Sequence, residues 1–298
     1  MIIETILESP AKLNLSLNIT GKNQNGLHNL FSYLIFMDLK DYIKIYPAKI
    51  NKIKVVGPMS TKLKNLGGES LLMDTLNACH LNNLTKQKYF IELTKNIPVC
   101  AGLGGGSSNA ATLLKYLYNK NKILDEEKLF YIAKNLGSDV PACLLSQPLC
   151  LLNDGNVLKK IKRDKFKSSR RYQPGFILIN PNIPIRTKDV FNDFNFSDEK
   201  KILIQKNLEL NSLNDFLKII SLGNDLISSA QSLSPEIIMI LKKLKSLRGC
   251  LGQSMTGSGG TCFGLFKSVD KANQIHQYIL DNCIFENYWI WSGGMLKN

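Results

Sequence analysis

The sequence of 298 residues lacks a C-x-x-C pair, although it contains seven cysteines. An odd number of cysteines without such a pair argues against a disulfide framework and a zinc site, and it indicates reduced thiols in a cytoplasmic protein. The first residues, MIIETILESPAKLN, lack the apolar core and cleavage site of a signal peptide. The charge-free stretch 96–114 is rich in glycine, serine and asparagine, which is typical of a loop and not of a membrane span. We expect no metal site and no membrane partner.

Acidic residues are scarce: 24 Asp and Glu accompany 38 Lys and Arg, for a formal net charge of +14. Such an excess suggests an anionic partner: a nucleic acid, a membrane surface or a phosphorylated small molecule. Arginine is scarce too, with five residues, and lysine makes poorer bidentate contacts to phosphate or guanine. A general bias of the chain toward lysine, isoleucine and asparagine is the alternative explanation.

The positive charge is dense at residues 156–173, NVLKKIKRDKFKSSRRYQ. One interpretation is an anion-binding loop, as a nucleic-acid-binding protein would use. The other, which we favour, is a solvated connection between two halves of the chain, so we expect no nucleic-acid partner. This stretch is our candidate domain boundary, which gives an N-terminal domain at residues 1–158 and a C-terminal domain at residues 159–298.

Hydrophobic residues at 44% and charged residues at 21% predict a chain that folds as a whole. Polar and apolar residues alternate from Lys12 to Ile19, so Lys12 and Asn14 lie on the same face of a predicted strand. Strands and helices occur in both halves without regular alternation, which indicates an α+β protein. We predict further strands at residues 42–46, 53–56, 90–93, 176–180, 262–267 and 288–292, and helices at residues 212–222, 224–233, 235–247 and 269–281.

Two more helices are predicted in the middle of the chain. Ser107 or Ser108 is suited to cap the first, because apolar residues recur at helical spacing directly after them. Asp125 is suited to cap the second, which has two glutamates in its first turn and Gly137 just beyond its end.

Glycine is unevenly distributed: ten of the 21 glycines lie in the windows 102–106 and 249–264. The first window follows a strand and leads through two serines into a helix. Glycine lets a backbone approach phosphate oxygens closely, and free N–H groups at a helix N-terminus attract anions. The Walker pattern does not fit, because its lysine is missing. The dinucleotide pattern does not fit, because the glycines do not have its G-x-G-x-x-G spacing. The second window is either a tight turn or a second phosphate-binding turn for the same nucleotide.

Three segments together resemble a known family. SPAKLNLSL near the N-terminus, IPVCAGLGGGSSNAA in the middle and SMTGSGGTCFGLF near the C-terminus are similar, in order and spacing, to the three motifs of the GHMP small-molecule kinases. The resemblance covers nearly the whole chain. Further matches, to one group within that family, are Gly26-Leu27-His28, GSDVP at 137–141, Asn180-Pro181 with Thr187, and Asn224-Asp225-Leu226.

The resemblance implies a two-domain α+β fold, with a ribosomal-protein-S5-like N-terminal half, a ferredoxin-like C-terminal half and the active site in the cleft between them. It also implies ATP-dependent phosphorylation, with Mg²⁺, of the 2-hydroxyl of a cytidine-diphosphate-linked methylerythritol in the non-mevalonate route to isoprenoid precursors. A GHMP kinase for another small alcohol, such as mevalonate or homoserine, is the alternative within the family. The oligomeric state, monomer or homodimer, is left open.

By the same resemblance, Asp139 is the catalytic base and Lys12 is its partner. A base near the acceptor hydroxyl and a cation that offsets phosphoryl charge suit this reaction. The alternatives are a turn aspartate and a solvent-facing strand lysine. Ser70 stands where the family has an asparagine in its adenine pocket. The residues that the resemblance assigns to ATP or its magnesium are Lys95, Pro98, Val99, Cys100, Ala101, Gly102, Leu103, Gly104, Gly105, Gly106, Ser107 and Ser108.

The resemblance assigns four residues to the alcohol substrate. Asn14 and His28 match positions that hold the cytidine end, Phe191 matches an aromatic residue that stacks on the base, and Thr187 belongs to the matched Asn-Pro segment. Leu27 stands where the family usually has tyrosine, so one aromatic face of the cytosine site is predicted to be missing.

Overall fold

The computed structural model describes residues 5–22, 28–67, 70–121, 125–153, 157–161, 173–195 and 209–297. It divides into two compact units that interleave along the chain. The predicted boundary divides the chain once, between residues 158 and 159, whereas each of these units is built from three separated segments. The predicted boundary stays a prediction. Unit 1 comprises Met1–Lys12, Leu39–Val99 and Gly104–Ser146, and unit 2 comprises Leu13–Asp38, Cys100–Leu103 and Gln147–Asn298.

Strands and helices follow one another without a regular repeat, as predicted. Two long strands, β1 and β2, contribute residues to both units. The strands are β1 (Thr5–Lys22), β2 (His28–Ala48), β3 (Lys52–Val56), β4 (Lys88–Thr94), β5 (Leu149–Asn153), β6 (Val157–Lys160), β7 (Gly175–Asn180), β8 (Gly252–Met255), β9 (Cys262–Phe266) and β10 (Trp289–Gly293). The helices are α1 (Ser60–Asn65), α2 (Ser70–Leu81), α3 (Gly105–Lys120), α4 (Glu126–Leu136), α5 (Val140–Leu145), α6 (Thr187–Asp193), α7 (Leu213–Ser221), α8 (Ile227–Leu233), α9 (Glu236–Ser246) and α10 (Val269–Asp281).

Unit 1 is organised around α3. Residues 42–48 of β2 pair antiparallel with β4, and β4 pairs parallel with β3. Helix α3 packs against α2, α4 and α5, because its apolar side chains recur at helical spacing and its alanines allow close approach. The buried apolar side chains of α3 include Ala110, Ala111, Leu113, Leu114 and Leu117.

The two predicted helix caps in unit 1 have different outcomes. Asp125 caps α4, accepting a hydrogen bond from the Lys128 N–H at 2.9 Å, so this prediction is confirmed. The predicted serine cap of α3 is wrong. The residue before α3 is Gly104, in the left-handed conformation with φ +63° and without a side-chain cap. The chain therefore enters the helix before Ser107, and the first N–H groups of α3 carry no side-chain cap.

Unit 2 contains an antiparallel sheet with the strand order β10-β7-β9-β8. Helix α10 connects β9 to β10, and α9 packs on β8 and β9. Counted in chain order, the strands lie in the order four, one, three, two, which is the ferredoxin-like arrangement. The expected ferredoxin-like half is confirmed. Residues 30–34 of β2 also belong to unit 2, where they pair with β5, and β5 pairs with β6.

Most predicted elements of unit 2 are present with bounds shifted by a few residues at most. α7 has a capping box formed by Ser212 and Asp215, and α10 coincides with the prediction. The short elements α5, β5 and β6 were not predicted, because brief apolar runs do not distinguish helix from strand.

The basic stretch 156–173 lies largely outside the described residues, so its role stays a prediction. In the described part of the chain, no helix is long and apolar enough to span a membrane.

Candidate active site

The polar face of β1 is buried. Lys12 is 7% exposed and Asn14 is 3% exposed, so the alternative of a solvent-facing strand lysine is wrong. Buried polar groups require partners that replace water. The Asn14 amide Nδ2 donates to Ser32 Oγ at 2.7 Å, and the Asn14 backbone N–H donates to Thr256 Oγ1 at 2.9 Å. Neither Ser32 nor Thr256 was among the predicted site residues. Ser32 lies outside every motif, and Thr256 lies in the second glycine window but was assigned no role.

Within unit 1, Lys12 faces Asp139. The Lys12 Nζ atom lies 3.5 Å from Asp139 Oδ2, and the Asp139 side chain is 40% exposed. Asp139 is the N-cap residue of α5, with Pro141 in the first turn, and its side chain makes no capping hydrogen bond. Burial, followed by the charge of Asp139, raises the pKa of the nearby Cys143 thiol, so the thiol stays protonated. The carboxylate is thus held at a helix start and is open to a ligand.

Gly104 allows the glycine turn to pack directly on Lys12. A Cβ atom at Gly104 would lie 2.6 Å from Lys12 Cγ, and the φ of +63° disfavours other residues. The first turn of α3 follows, and within it Ser108 Oγ is buried without a hydrogen-bond partner. An ammonium group beside the start of a helix favours the binding of an anion.

The predicted ATP residue Lys95 lies beneath the same turn. Its Nζ atom donates to Asp41 Oδ2 at 2.6 Å and to the Ile97 carbonyl at 2.7 Å. Lys95 is 2% exposed and Asp41 is fully buried. A Cβ atom at Gly105 would lie 2.8 Å from Lys95 Nζ. Asp41 escaped the sequence prediction because it lies in a strand distant from every glycine motif, and a contact of Lys95 with nucleotide stays a prediction.

Within unit 2, the two glycine windows meet. A Cβ atom at Gly102 would lie 2.4 Å from the Thr256 carbonyl oxygen and 3.0 Å from that of Gly259. The Asn224 Nδ2 atom donates to the carbonyl oxygens of Met255 and Gly257, each at 2.8 Å. Asn224 therefore fastens the second window, which gives a structural explanation for the Asn-Asp-Leu motif.

Two of the predicted cytidine-end residues lie together in unit 2. The rings of His28 and Phe191 are 5.4 Å apart between centroids, and Phe194, which was not predicted, lies 5.8 Å from His28 in an edge-on arrangement. His28 Nε2 is buried without a hydrogen-bond partner. Burial, with a smaller effect of Lys22, lowers the pKa of His28. A neutral imidazole with an unpaired nitrogen beside an aromatic ring suits recognition of a nucleobase.

Thr187 begins α6, close to the second glycine window. Its Oγ1 atom lies 2.9 Å from Ser258 Oγ. The adjoining Asn180 Nδ2 donates to Thr261 Oγ1 at 3.0 Å. The predicted Asn-Pro-to-Thr segment is thus hydrogen-bonded to the second window. Leu27 lies outside the described residues, so its predicted effect is not tested.

Two family models match this chain: "GHMP kinases N terminal domain" at residues 70–147 and "GHMP kinases C terminal" at residues 204–284. A 4-diphosphocytidyl-2-C-methyl-D-erythritol kinase from Prochlorococcus marinus subsp. pastoris is 35% identical over 290 residues, which cover 91% of this chain and 88% of the relative. The chain belongs to the GHMP kinase family. It is a small-molecule kinase, and the predicted family resemblance is confirmed.

Other relatives of this GHMP kinase agree. A protein of the same name from a Chelativorans species is 33% identical over 273 residues, covering 91% of this chain and 90% of the relative. A crystal structure of 4-(cytidine 5'-diphospho)-2C-methyl-D-erythritol kinase has a TM-score of 0.74 at 24% identity and covers 99% of this chain and 100% of that one. A mevalonate kinase structure has a TM-score of 0.65 at 17% identity, covering 99% and 100%. The α+β GHMP kinase fold is confirmed.

The predicted site residues of this GHMP kinase divide between the units. Two associations expected from the resemblance are present as contacts, Lys12 with Asp139 and His28 with Phe191. The structure adds the contact of Lys12 with the glycine turn. The roles of these residues stay predictions. Unit 1 contains Lys12, Lys95, Pro98, Val99, Gly104, Gly105, Gly106, Ser107, Ser108 and Asp139, and unit 2 contains Asn14, His28, Cys100, Ala101, Gly102, Leu103, Thr187 and Phe191.

Proposed function

We propose that this GHMP kinase transfers the γ-phosphoryl group of ATP to the 2-hydroxyl of 4-diphosphocytidyl-2-C-methyl-D-erythritol, within the cytoplasmic non-mevalonate route to isoprenoid precursors. The relatives named above support the substrate. The observation that carries the chemistry is the Lys12–Asp139 pair, in which a buried ammonium lies 3.5 Å from a half-open carboxylate. The partner is a small molecule, and monomer and homodimer both remain open.

Asp139 acts as the base in this proposal. Its carboxylate accepts the proton of the acceptor hydroxyl as the hydroxyl oxygen forms a bond to the γ-phosphorus and the bond to the leaving ADP oxygen breaks. The Lys12 ammonium lies 3.5 Å from the Asp139 carboxylate and holds it beside the acceptor site in this proposal. The same ammonium offsets negative charge that develops on the reacting oxygens.

The start of α3 holds the phosphates. The glycines at 104–106 start α3 without side chains between their backbone and a phosphate, and of these Gly104 and Gly106 are partly exposed while Gly105 is buried. The backbone N–H groups of this turn and the helix dipole attract the phosphate oxygens, so no Walker lysine is needed. Lys12 packs against Gly104, so the phosphate cradle and the catalytic pair have a fixed spacing.

Magnesium fits the first turn of α3. Among the described residues no cluster of three His, Cys, Asp or Glu side chains is suited to hold a metal alone, but Mg²⁺ in kinases is bound largely by phosphate oxygens and water. Ser108 Oγ, buried and without a partner, is the side chain that would contribute a ligand, and Ser107 is adjacent to it. Bound Mg²⁺ would neutralise charge on the phosphates.

The cytidine end would bind in unit 2. His28 offers its unpaired Nε2 to the base, and Phe191 offers a ring face. Asn14 is held by Ser32, and Thr187 is held by Ser258, so both arrive preoriented. Preorganised polar groups of this kind favour one ligand geometry and lower the entropy cost of binding.

The test is release of ADP by the purified full-length chain, measured in a coupled assay. We expect turnover with the cytidylyl substrate, far slower turnover with mevalonate or homoserine, and background release without acceptor. Equal rates with and without the cytidylyl substrate would refute the proposal. Preference for mevalonate would keep the kinase assignment and refute the substrate.

A further inference from the structure

Asp41 lies at the centre of a buried hydrogen-bond network beneath the glycine turn at residues 104–106. Its Oδ1 atom accepts the backbone N–H groups of Asn96 and Ile97 at 2.7 and 2.8 Å. Its Oδ2 atom accepts from Lys95 Nζ at 2.6 Å and from Asn109 Nδ2 at 3.1 Å. Four donors surround the carboxylate and replace the water that burial excludes.

The network joins both ends of residues 98–108, the segment whose residues are proposed to bind ATP. Asn96 and Ile97 directly precede that segment, and Asn109 lies one turn into α3, beyond it. Lys95 completes the connection, because its ammonium also donates to the Ile97 carbonyl. A single side chain from β2 therefore determines where the segment leaves β4 and where the helix that receives it lies.

The network also lies directly under the glycines. A Cβ atom at Gly105 would lie 2.8 Å from Lys95 Nζ, so the ammonium fills the space that a side chain at this position would occupy. A displacement of Lys95 would therefore change the support of the first turn of α3. The paired charges of Lys95 and Asp41 keep this support neutral and fixed.

We propose that Asp41 is a positioning residue for ATP: it orients residues 96–97 and the first turn of α3, and thereby sets the affinity for the nucleotide phosphates. Asp41 is fully buried, so it acts through these groups and does not touch the substrate. This inference rests on the proposed function for the identity of the nucleotide. It assigns a role to a residue outside the glycine motifs.

The experiment compares three full-length variants with the wild type. Asp41→Asn keeps the side-chain shape and removes the charge. The double variant Asp41→Leu/Lys95→Met replaces the ion pair by apolar side chains of similar size, which preserves packing and stability better than removal of one partner. Asp215→Asn is the matched control, because Asp215 also accepts two backbone N–H groups, at the start of α7. ATP with Mg²⁺ is titrated calorimetrically without acceptor, and KM, kcat and thermal unfolding are measured in parallel.

We expect Asp41→Asn and the double variant to raise the dissociation constant and KM for ATP by about tenfold to a hundredfold, the effect typical of small misplacements in a binding site. In Asp41→Asn, which leaves every predicted ATP-binding residue in place, kcat at saturating ATP and KM for the cytidylyl substrate should stay near those of the wild type. The Asp215→Asn control should bind ATP normally.

Wild-type affinity for ATP in the double variant would overturn the proposal, as would equal losses for ATP and the cytidylyl substrate, since the latter indicates general damage. A wild-type chain that binds ATP but does not phosphorylate the cytidylyl substrate would refute the proposed acceptor and leave the role of Asp41 standing. A wild-type chain that binds no ATP would refute both.

Discussion

The two lysine–aspartate pairs of unit 1 are built from the same residue types and differ in their enclosure. Lys95 and Asp41 are 2.6 Å apart, with side chains 2% and 0% exposed, and Lys12 and Asp139 are 3.5 Å apart, with side chains 8% and 40% exposed. All four donors around the Asp41 carboxylate come from the protein. Asp139 makes no capping hydrogen bond to the helix that it starts. The enclosed pair is suited to hold a loop, and the half-open pair is suited to exchange a proton with a ligand.

We expect the largest effect from variants that break the half-open pair. Asp139→Asn should lower kcat by a factor of about 10²–10⁴, because the base is lost, and should leave thermal unfolding and ATP affinity nearly unchanged. A partly exposed pair is worth about 1 kcal/mol or less to stability. Lys12→Ala should also remove most turnover. The measurement is steady-state ADP release with calorimetric ATP titration, and Asp125→Asn, at a helix cap outside the proposed site, is the control. Near-normal kcat in Asp139→Asn or in Lys12→Ala would show that the catalytic assignment is wrong.

The enclosed pair should respond in stability. Asp41→Leu alone leaves the Lys95 ammonium buried without its carboxylate, so the free energy of unfolding should fall by about 3–5 kcal/mol. Adding Lys95→Met should restore part of the loss, because the buried ammonium is then absent, while the N–H groups of Asn96 and Ile97 and the Asn109 amide still lack their acceptor. Urea unfolding of the single and double variants measures this difference. If Asp41→Leu were no less stable than Asp139→Ala, the contrast between the two pairs would have no energetic basis.

The next effect concerns the spacing between the half-open pair and the glycine turn, which a side chain at residue 104 would change. Gly104→Ala should lower stability by about 1–2 kcal/mol through left-handed strain. It should also lower kcat, because the new Cβ would lie 2.6 Å from Lys12 Cγ. Gly223→Ala is the matched control: its φ is +76°, and a Cβ there would meet nothing within 4 Å. Equal losses of kcat in both variants would assign the effect to strain alone.

The smallest expected effect is a pH dependence in unit 2. Burial lowers the pKa of His28 below its ordinary value of 6.5, so the folded chain favours the neutral ring. The corresponding stability is complete above pH 6.5 and is lost as the pH falls from 6.5 through the lowered pKa. KM for the cytidylyl substrate should therefore be constant near neutrality and rise only in more acidic solution. His28→Gln should abolish this rise and His80→Gln should retain it; a rise that persists in His28→Gln would refute the role of His28.

Much of the fold could be predicted because local patterns agree with it. The capping aspartate and terminal glycine of α4, the capping box of α7 and the periodicity of α10 are local signals, and each element forms where they indicate. The serine cap of α3 was wrong because a left-handed glycine starts the helix earlier than side-chain preference suggests. Short elements such as α5 depend on packing partners that are distant in sequence.

The candidate site was predictable where glycine spacing or a family motif marks it, and not elsewhere. Gly104, Asp139 and His28 belong to such motifs. Asp41 and Ser32 lie outside them, and Thr256 lies within the second glycine window but had no role assigned from the sequence. All three became visible through hydrogen bonds between residues 18 to 242 positions apart. Sequence reasoning assigned Lys95 to the nucleotide, and the structure adds that its ammonium is already bound by Asp41.

The sequence by itself indicated the class of the fold and located the glycine turn, because glycine conformation and helix periodicity are properties of neighbouring residues. Its resemblance to the GHMP kinases named Lys12 and Asp139 as a pair. Tertiary structure alone decided which lysine is enclosed and which is open, since burial and distance depend on chain segments that meet only on folding. The cysteine pattern argued against a disulfide framework and a zinc site, and the scarcity of acidic residues suggested an anionic partner. The proposed chemistry rests on where two aspartates lie: Asp139 at an open helix start and Asp41 in the interior.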